Sequence, residues 1–226
     1  MQNNTADRRT HGDLPAQGRR APMTDAGEAF RIVVVCTGNR FRSPLVAALL
    51  REFAEDVPVE VCSTGTLDLG PAPALLEAVR AATMLDVDLS DHVAQPLTPE
   101  AVARADLVVG FEREHVAKCV VELGVPRERV FTLPELARLL ARVPSAVGDD
   151  QVERARNMIA AAHEVRARDP WTTALAEIRD PLGLPRAAIA EIVEELRTAT
   201  ETVSEALFDG VSHRRENPAH RGGNAG

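Results

Sequence analysis

Apolar positions in this chain fall into short blocks that alternate between two periodicities. Residues 31–35 form an almost unbroken β-branched run that ends at Cys36, and 106–111 and 129–132 repeat the pattern more briefly. Runs of four to six apolar residues between turn signals suit strands buried on both faces. Residues 59–62 read as a further short strand ending at Ser63-Thr64-Gly65-Thr66. Between these runs the spacing changes to three and four. Leu45, Ala48, Leu49 and Phe53 share one face of a helix predicted over 44–55. Further helices are predicted over 73–85, from Thr98-Pro99 onward, over 112–123 with Gly124 as the stop, and over 134–142. Val152, Ala155, Ile159 and Ala162 mark a helix over 150–166. Ile189, Ile192, Val193, Leu196, Val203 and Leu207 mark a long one over 186–208. Strands alternating with helices predict an α/β domain whose parallel sheet is covered on both faces.

The ends of the chain lack such patterning. Residues 1–28 and 211–226 are polar and rich in Arg, Asn, Gly and His, and are expected to be disordered tails around a domain at 29–210. Arg8-Arg9 and Arg19-Arg20 then lie in a solvated tail, and Met23 is an alternative start to Met1. Residues 143–179 read as a helical insertion, broken at Asp169-Pro170-Trp171, with Trp171 expected to plug the core edge. Because the insertion precedes an Asp-Pro loop, it is expected to gate whatever pocket that loop borders.

At 226 residues the chain can bury one sizeable core. A net charge of −8 argues against nucleic acid or an anionic membrane as partner. No apolar run approaches the roughly 20 residues of a membrane span. Three cysteines, Cys36, Cys62 and Cys119, have no metal-type spacing. They fit free thiols in a reducing, cytoplasmic setting, with Cys62 and Cys119 expected as buried core residues. His92, His115 and His163 stand apart in sequence and are expected to be surface or helix-capping residues. Neither a metal nor a cofactor is expected.

The candidate chemistry sits at Cys36-Thr37-Gly38-Asn39-Arg40-Phe41-Arg42-Ser43-Pro44. A strand ends at a thiol, and an arginine follows six positions on, at the entry to a helix. Gly38 and Asn39 tolerate φ > 0, so the loop can curl. Ser43 suits the N-cap and Pro44 the first turn. A curled loop at a helix N-terminus aims backbone N–H groups and a positive dipole end at one spot, which attracts an anion. A thiol there is expected to ionise readily, since such surroundings lower a cysteine pKa from about 8.5 to about 3.5–7.5. Arg42 can grip two oxygens of a phosphate-like group. A bare Cys-x5-Arg recurs by chance; the strand, the turn and the Ser-Pro start are what give it weight.

This stretch resembles the active-site loop of the low-molecular-weight protein tyrosine phosphatase family, which includes thiol-dependent arsenate reductases. Ser63-Thr64-Gly65-Thr66, the run from Ala105 to His115, and Ile178-Arg179-Asp180-Pro181-Leu182-Gly183 resemble further family segments in the same order. The resemblance implies a three-layer fold with a four-stranded parallel sheet, and hydrolysis of a phosphate monoester, foremost protein phosphotyrosine, through a phosphocysteine. It assigns Cys36 as nucleophile, the amides of Thr37, Gly38, Asn39, Arg40, Phe41, Arg42 and Ser43 with the Arg42 guanidinium as phosphate cradle, and Asp180 as general acid. It also implies that Ser43 hydrogen-bonds the Cys36 sulfur and that Asn39 holds the loop. Phe41, Leu67 and Leu182 become the pocket walls. The partner is a phosphorylated protein or small phosphate ester, and a homodimer stays open.

Two departures matter. Arg40 and Phe41 stand where many relatives have an aliphatic residue and a second cysteine. Leu182 and Gly183 follow Asp180-Pro181 where an aromatic ring is usual, which forgoes about 0.5–1.5 kcal/mol per aromatic pair. Two alternatives remain. One is an arsenate reductase, for which Cys119 lacks a partner because Glu112 is not a thiol. The other is a phosphate- or partner-binding module without turnover.

Overall fold

The computed structural model describes residues 29–54, 57–144, 150–168 and 176–208. The two tails, residues 145–149 and Trp171 with its neighbours lie outside them. Four strands, β1 Phe30–Cys36, β2 Val59–Gly65, β3 Leu107–Gly110 and β4 Val130–Thr132, form one sheet in the order β2-β1-β3-β4, and every pair is parallel. The strand-run reading thus gives the predicted architecture. Alternation along β1 divides the core. Ile32 and Val34 face a large apolar layer, while Val33 and Val35 face a smaller one with Val108 and Val130.

The large layer is filled by α1 Arg42–Phe53, α2 Leu76–Met84, α5 Leu133–Leu140, α6 Gln151–Arg168 and α7 Arg186–Phe208. The small layer is closed by α3 Pro99–Val102 and by α4 Arg113–Ala117, which continues as a π-helical turn through Glu122. Thr98 caps α3 by accepting from Ala101 N, with Pro99 in the first turn. Gly124, with φ of 67°, ends the α4 segment as expected.

Several boundaries differ from the sequence reading, each for a tertiary reason. Helix α1 starts at Arg42, so Ser43 lies inside its first turn and is not the N-cap. Helix α2 starts only at Leu76, because Pro73 pairs with Val93 and Leu75 N–H donates to Arg40 O. Strand β2 runs on to Gly65 and occupies the sheet edge, which leaves Cys62 exposed rather than buried. Cys119 is buried as expected, and burial pushes its thiol up to about 11.

The expected gate over 143–179 falls partly outside the described residues, and what is described of it, helix α6, is packed into the core. Val152, Ala155, Met158, Ile159 and Ala162 are buried in the large layer. Arg156 Nε bonds Asp106 Oδ1, just before β3, and Arg166 Nη1 bonds Val130 O, at the first residue of β4. The helix therefore packs at the N-terminal ends of the strands, opposite to Cys36. Among the described residues, no helix is long and apolar enough to cross a membrane.

Candidate active site

β1 delivers Cys36 to the C-terminal end of the sheet, and the chain curls once before entering α1. Asn39 is the residue at positive φ, 51°, in this loop; Gly38 stays outside that region. Asn39 is fully buried and works as a strut. Its Nδ2 donates to Ser43 Oγ and Ser63 Oγ, both at 2.9 Å, and its Oδ1 accepts from Gln95 N at 2.8 Å. His92 Nε2 lies 2.7 Å from Asn39 O, so this histidine braces the loop rather than facing solvent. His163 lies by Arg166, 2.9 Å from its Nη2.

Close approach to β2 needs Gly65. A Cβ there would stand 2.9 Å from Asn39 N and 3.0 Å from Thr37 O, both backbone atoms that cannot swing away. The Cys36 sulfur receives Asn39 N–H at 3.2 Å and lies 3.0 Å from Ser43 Oγ. The amides of Gly38, Arg40 and Phe41 donate to no protein acceptor among the described residues. The Phe41 side chain, however, is buried in the large core layer and does not form a pocket wall. Leu67 and Leu182 are exposed. Leu67 N donates to Thr37 O, and Leu182 N to Asp180 Oδ1. Arg40 is tied down through Nε to Pro73 O.

Arg42 is 1% exposed, and its guanidinium is fully partnered at both ends. Nη1 donates to Glu112 Oε2 and Ile178 O, each at 2.9 Å. Nη2 donates to Asp180 Oδ2 at 2.5 Å and lies 3.4 Å from Thr37 Oγ1. Its carbon is 5.6 Å from the Phe111 ring centre. Asp180, 138 positions from Arg42, is thus brought to the cradle. The backbone holds it there, since Ile178 N donates to Phe111 O and Thr132 Oγ1 donates to Ala176 O.

Two site residues escaped the sequence reading. Glu112, which its sequence context marks only as a residue without a thiol, anchors Arg42. His115 was expected at the surface or as a cap; it is a cap, but a buried one. Its Nδ1 accepts from Phe111 N and Glu112 N, so its proton sits on Nε2, which donates to Thr37 Oγ1 at 3.2 Å. Burial, and then the nearby Arg42 cation, push the imidazole down to about 4. The i,i+3 spacing of Glu112 and His115 right after a strand was the available signal. No cluster suited to a metal ion occurs among the described residues. Cys119 belongs to the small layer and Cys36 to the large one, so no thiol relay reaches Cys36 through it.

Residues 31–142 match the sequence profile described as Low molecular weight phosphotyrosine protein phosphatase. A protein named Protein-arginine-phosphatase from Bacillus subtilis (strain 168) is 38% identical over 106 residues, which is 46% of this chain and 70% of that one. A protein named Probable low molecular weight protein-tyrosine-phosphatase EpsP, from Ralstonia nicotianae, is 44% identical over 78 residues. That stretch is 34% of this chain and about half, 52%, of EpsP. Among solved structures, the YwlE arginine phosphatase, as a Cys-to-Ser mutant with a phosphorylated active-site serine, superposes with a TM-score of 0.57 at 25% identity. The match covers 82% of this chain and 99% of that one.

Proposed function

The chain belongs to the low molecular weight phosphotyrosine protein phosphatase family, and on that premise we propose that it hydrolyses phosphate monoesters on protein, foremost phosphotyrosine, through a phosphocysteine. The observation that carries this is the meeting of Cys36, Arg42 and Asp180 around one curled loop. In the first step Cys36 Sγ attacks phosphorus as a thiolate; an S–P bond forms and the P–O bond to the leaving group breaks. The free amides of the loop and Arg42 face the charge that gathers on the equatorial oxygens. The leaving oxygen takes its proton from Asp180, a contribution of typically about 10²–10⁴-fold. In the second step a water attacks phosphorus, gives its proton back to Asp180, and releases phosphate and the thiolate.

Glu112 and Ile178 O hold Arg42 from the side away from Asp180, so the guanidinium keeps its place when phosphate enters. Ser43 and Asn39 N–H hold the sulfur's side of the cradle. A phosphorylated protein is the partner this reading requires. The free thiols at Cys36, Cys62 and Cys119 favour a reducing, cytoplasmic setting.

A second reading is hydrolysis of phosphoarginine. The walls at Leu67 and Leu182 offer no ring for stacking, and the relative that this chain covers by 70% is named an arginine phosphatase. Stopped-flow hydrolysis of p-nitrophenyl phosphate tests the chemistry. A burst of nitrophenolate is expected, lost in Cys36→Ser and slowed in Asp180→Ala; turnover that survives in Cys36→Ser would refute it. Matched phosphotyrosyl and phosphoarginyl peptides then separate the two substrates.

A further inference from the structure

Cys36 is 3% exposed, so a phosphate must reach down to it while the polypeptide that carries it rests on the rim. That rim is aliphatic on one side. Among the described residues seven large hydrophobic side chains are exposed, and five of them (Leu67, Leu69, Leu76, Val93 and Leu182) lie in segments tied to the cradle or to its acid loop. Solvent-facing apolar residues scattered singly need no explanation, but a cluster at an opening does.

Four of the five fall on the β2 side. Leu67 N bonds Thr37 O. The Leu69 side chain reaches to 3.2 Å from where a Gly38 Cβ would sit. Leu76 follows Leu75, whose N–H bonds Arg40 O, and Val93 pairs with Pro73, whose carbonyl holds Arg40 Nε. His92 and Gln95, on either side of Val93, both bond Asn39. The segments that carry these residues are thus each joined to the phosphate cradle, by a hydrogen bond beside the residue or, for Leu69, by its own side chain. A polypeptide whose phosphate reaches Cys36 has to lie over this rim, and the exposed side chains it meets there are aliphatic.

We infer that Leu69, Leu76 and Val93 form a docking strip for aliphatic residues flanking the phosphorylated residue of a protein substrate. The inference rests on the phosphatase reading and narrows it to a substrate class. A small ester does not touch the strip, while a peptide does.

The test is kcat/KM for the full chain on p-nitrophenyl phosphate and on phosphotyrosyl and phosphoarginyl peptides whose flanks are Leu/Val, Ser or Asp. In whichever set is hydrolysed, Leu/Val flanks are expected to exceed Ser flanks by about tenfold, the effect of burying one aliphatic side chain, with Asp flanks lowest. The double variant Leu76→Ser, Val93→Ser is expected to erase that preference and leave p-nitrophenyl phosphate turnover unchanged. Both side chains are exposed, so the fold does not depend on them. Equal rates across flanks, or no peptide turnover beside normal ester turnover, would overturn the strip while sparing the chemistry. Absence of ester turnover would remove the phosphatase reading and the strip with it. A dimer that the double variant dissolves, without any flank preference, would assign the strip to a second copy of the chain instead.

Discussion

Arg42 is a cation taken almost wholly out of water, which is costly unless the charge is paired. Two carboxylates pair it, and they are not equivalent. The Glu112 side chain is 29% exposed; the Asp180 side chain is 42% exposed and comes from a separate loop. An arriving phosphate dianion meets Asp180 already on Nη2, so the two compete for that nitrogen. Asp180→Asn replaces the competing anion by a neutral amide. Inorganic phosphate is then expected to inhibit residual p-nitrophenyl phosphate turnover at a severalfold lower concentration, while kcat falls by about 10²–10⁴-fold. An inhibition constant equal to that of the parent would mean that Asp180 does not compete for Arg42. At this scale spacing alone was informative where the partners are near in the chain, as for Cys36 and Arg42, while Asp180, 138 positions from Arg42, and the Ser43 bond to sulfur came from the family resemblance. Glu112, 70 positions from Arg42, looked like an ordinary helix-entry acid until β3 was laid beside β1.

The corner from β3 into α4 shows how an element can carry a site residue and a liability together. A Cβ on Gly110 would stand 2.7 Å from His115 Cβ, so only glycine lets the imidazole tuck under the strand end. There it satisfies two backbone N–H groups and steadies Thr37. The same burial holds its pKa at about 4, against about 6.5 in an unfolded chain. Above pH 6.5 the ring is neutral in both states and costs nothing. As pH falls from 6.5 to 4 the unfolded chain takes up a proton that the folded one refuses, so stability drops; below 4 the loss levels off at roughly 3 kcal/mol. His115→Asn removes that titration. Urea unfolding at pH 7 and pH 4.5 is therefore expected to show the advantage of the parent over His115→Asn shrinking by about 2–3 kcal/mol, and a constant difference would contradict the assignment. The histidine's spacing was visible in the sequence, but its burial was not, because burial depended on a glycine five positions earlier and on a neighbouring strand.

For the molecule as a whole, the alternation of apolar runs with helical stripes was enough to give a parallel α/β sheet, since β1, β3 and β4 are buried on both faces and say so in their composition. Edge effects were not readable: Cys62 looked like core, but β2 proved to be an edge strand left partly uncovered, unlike β4 at the other edge. Nor was the path of the insertion. Its stripe of Val152, Ala155, Ile159 and Ala162 announced a buried face without saying which end of the sheet would bury it. Arg156 on Asp106 and Arg166 on Val130 O answer that, since both contacts lie where the strands begin. Arg166 also stacks 4.0 Å over the Phe131 ring and reaches Glu135, which pins the helix to β4 and α5. A helix so placed supports the core and leaves the mouth of the cradle alone. Ile159→Ala, at a side chain 4% exposed, should then lower the free energy of unfolding in urea by about 2–4 kcal/mol. At 25 °C its kcat and KM for p-nitrophenyl phosphate should stay within about twofold of the parent, because the change leaves every contact of Cys36, Arg42 and Asp180 in place. The opposite pattern, an intact stability with a shifted KM, would return α6 to the role of a gate.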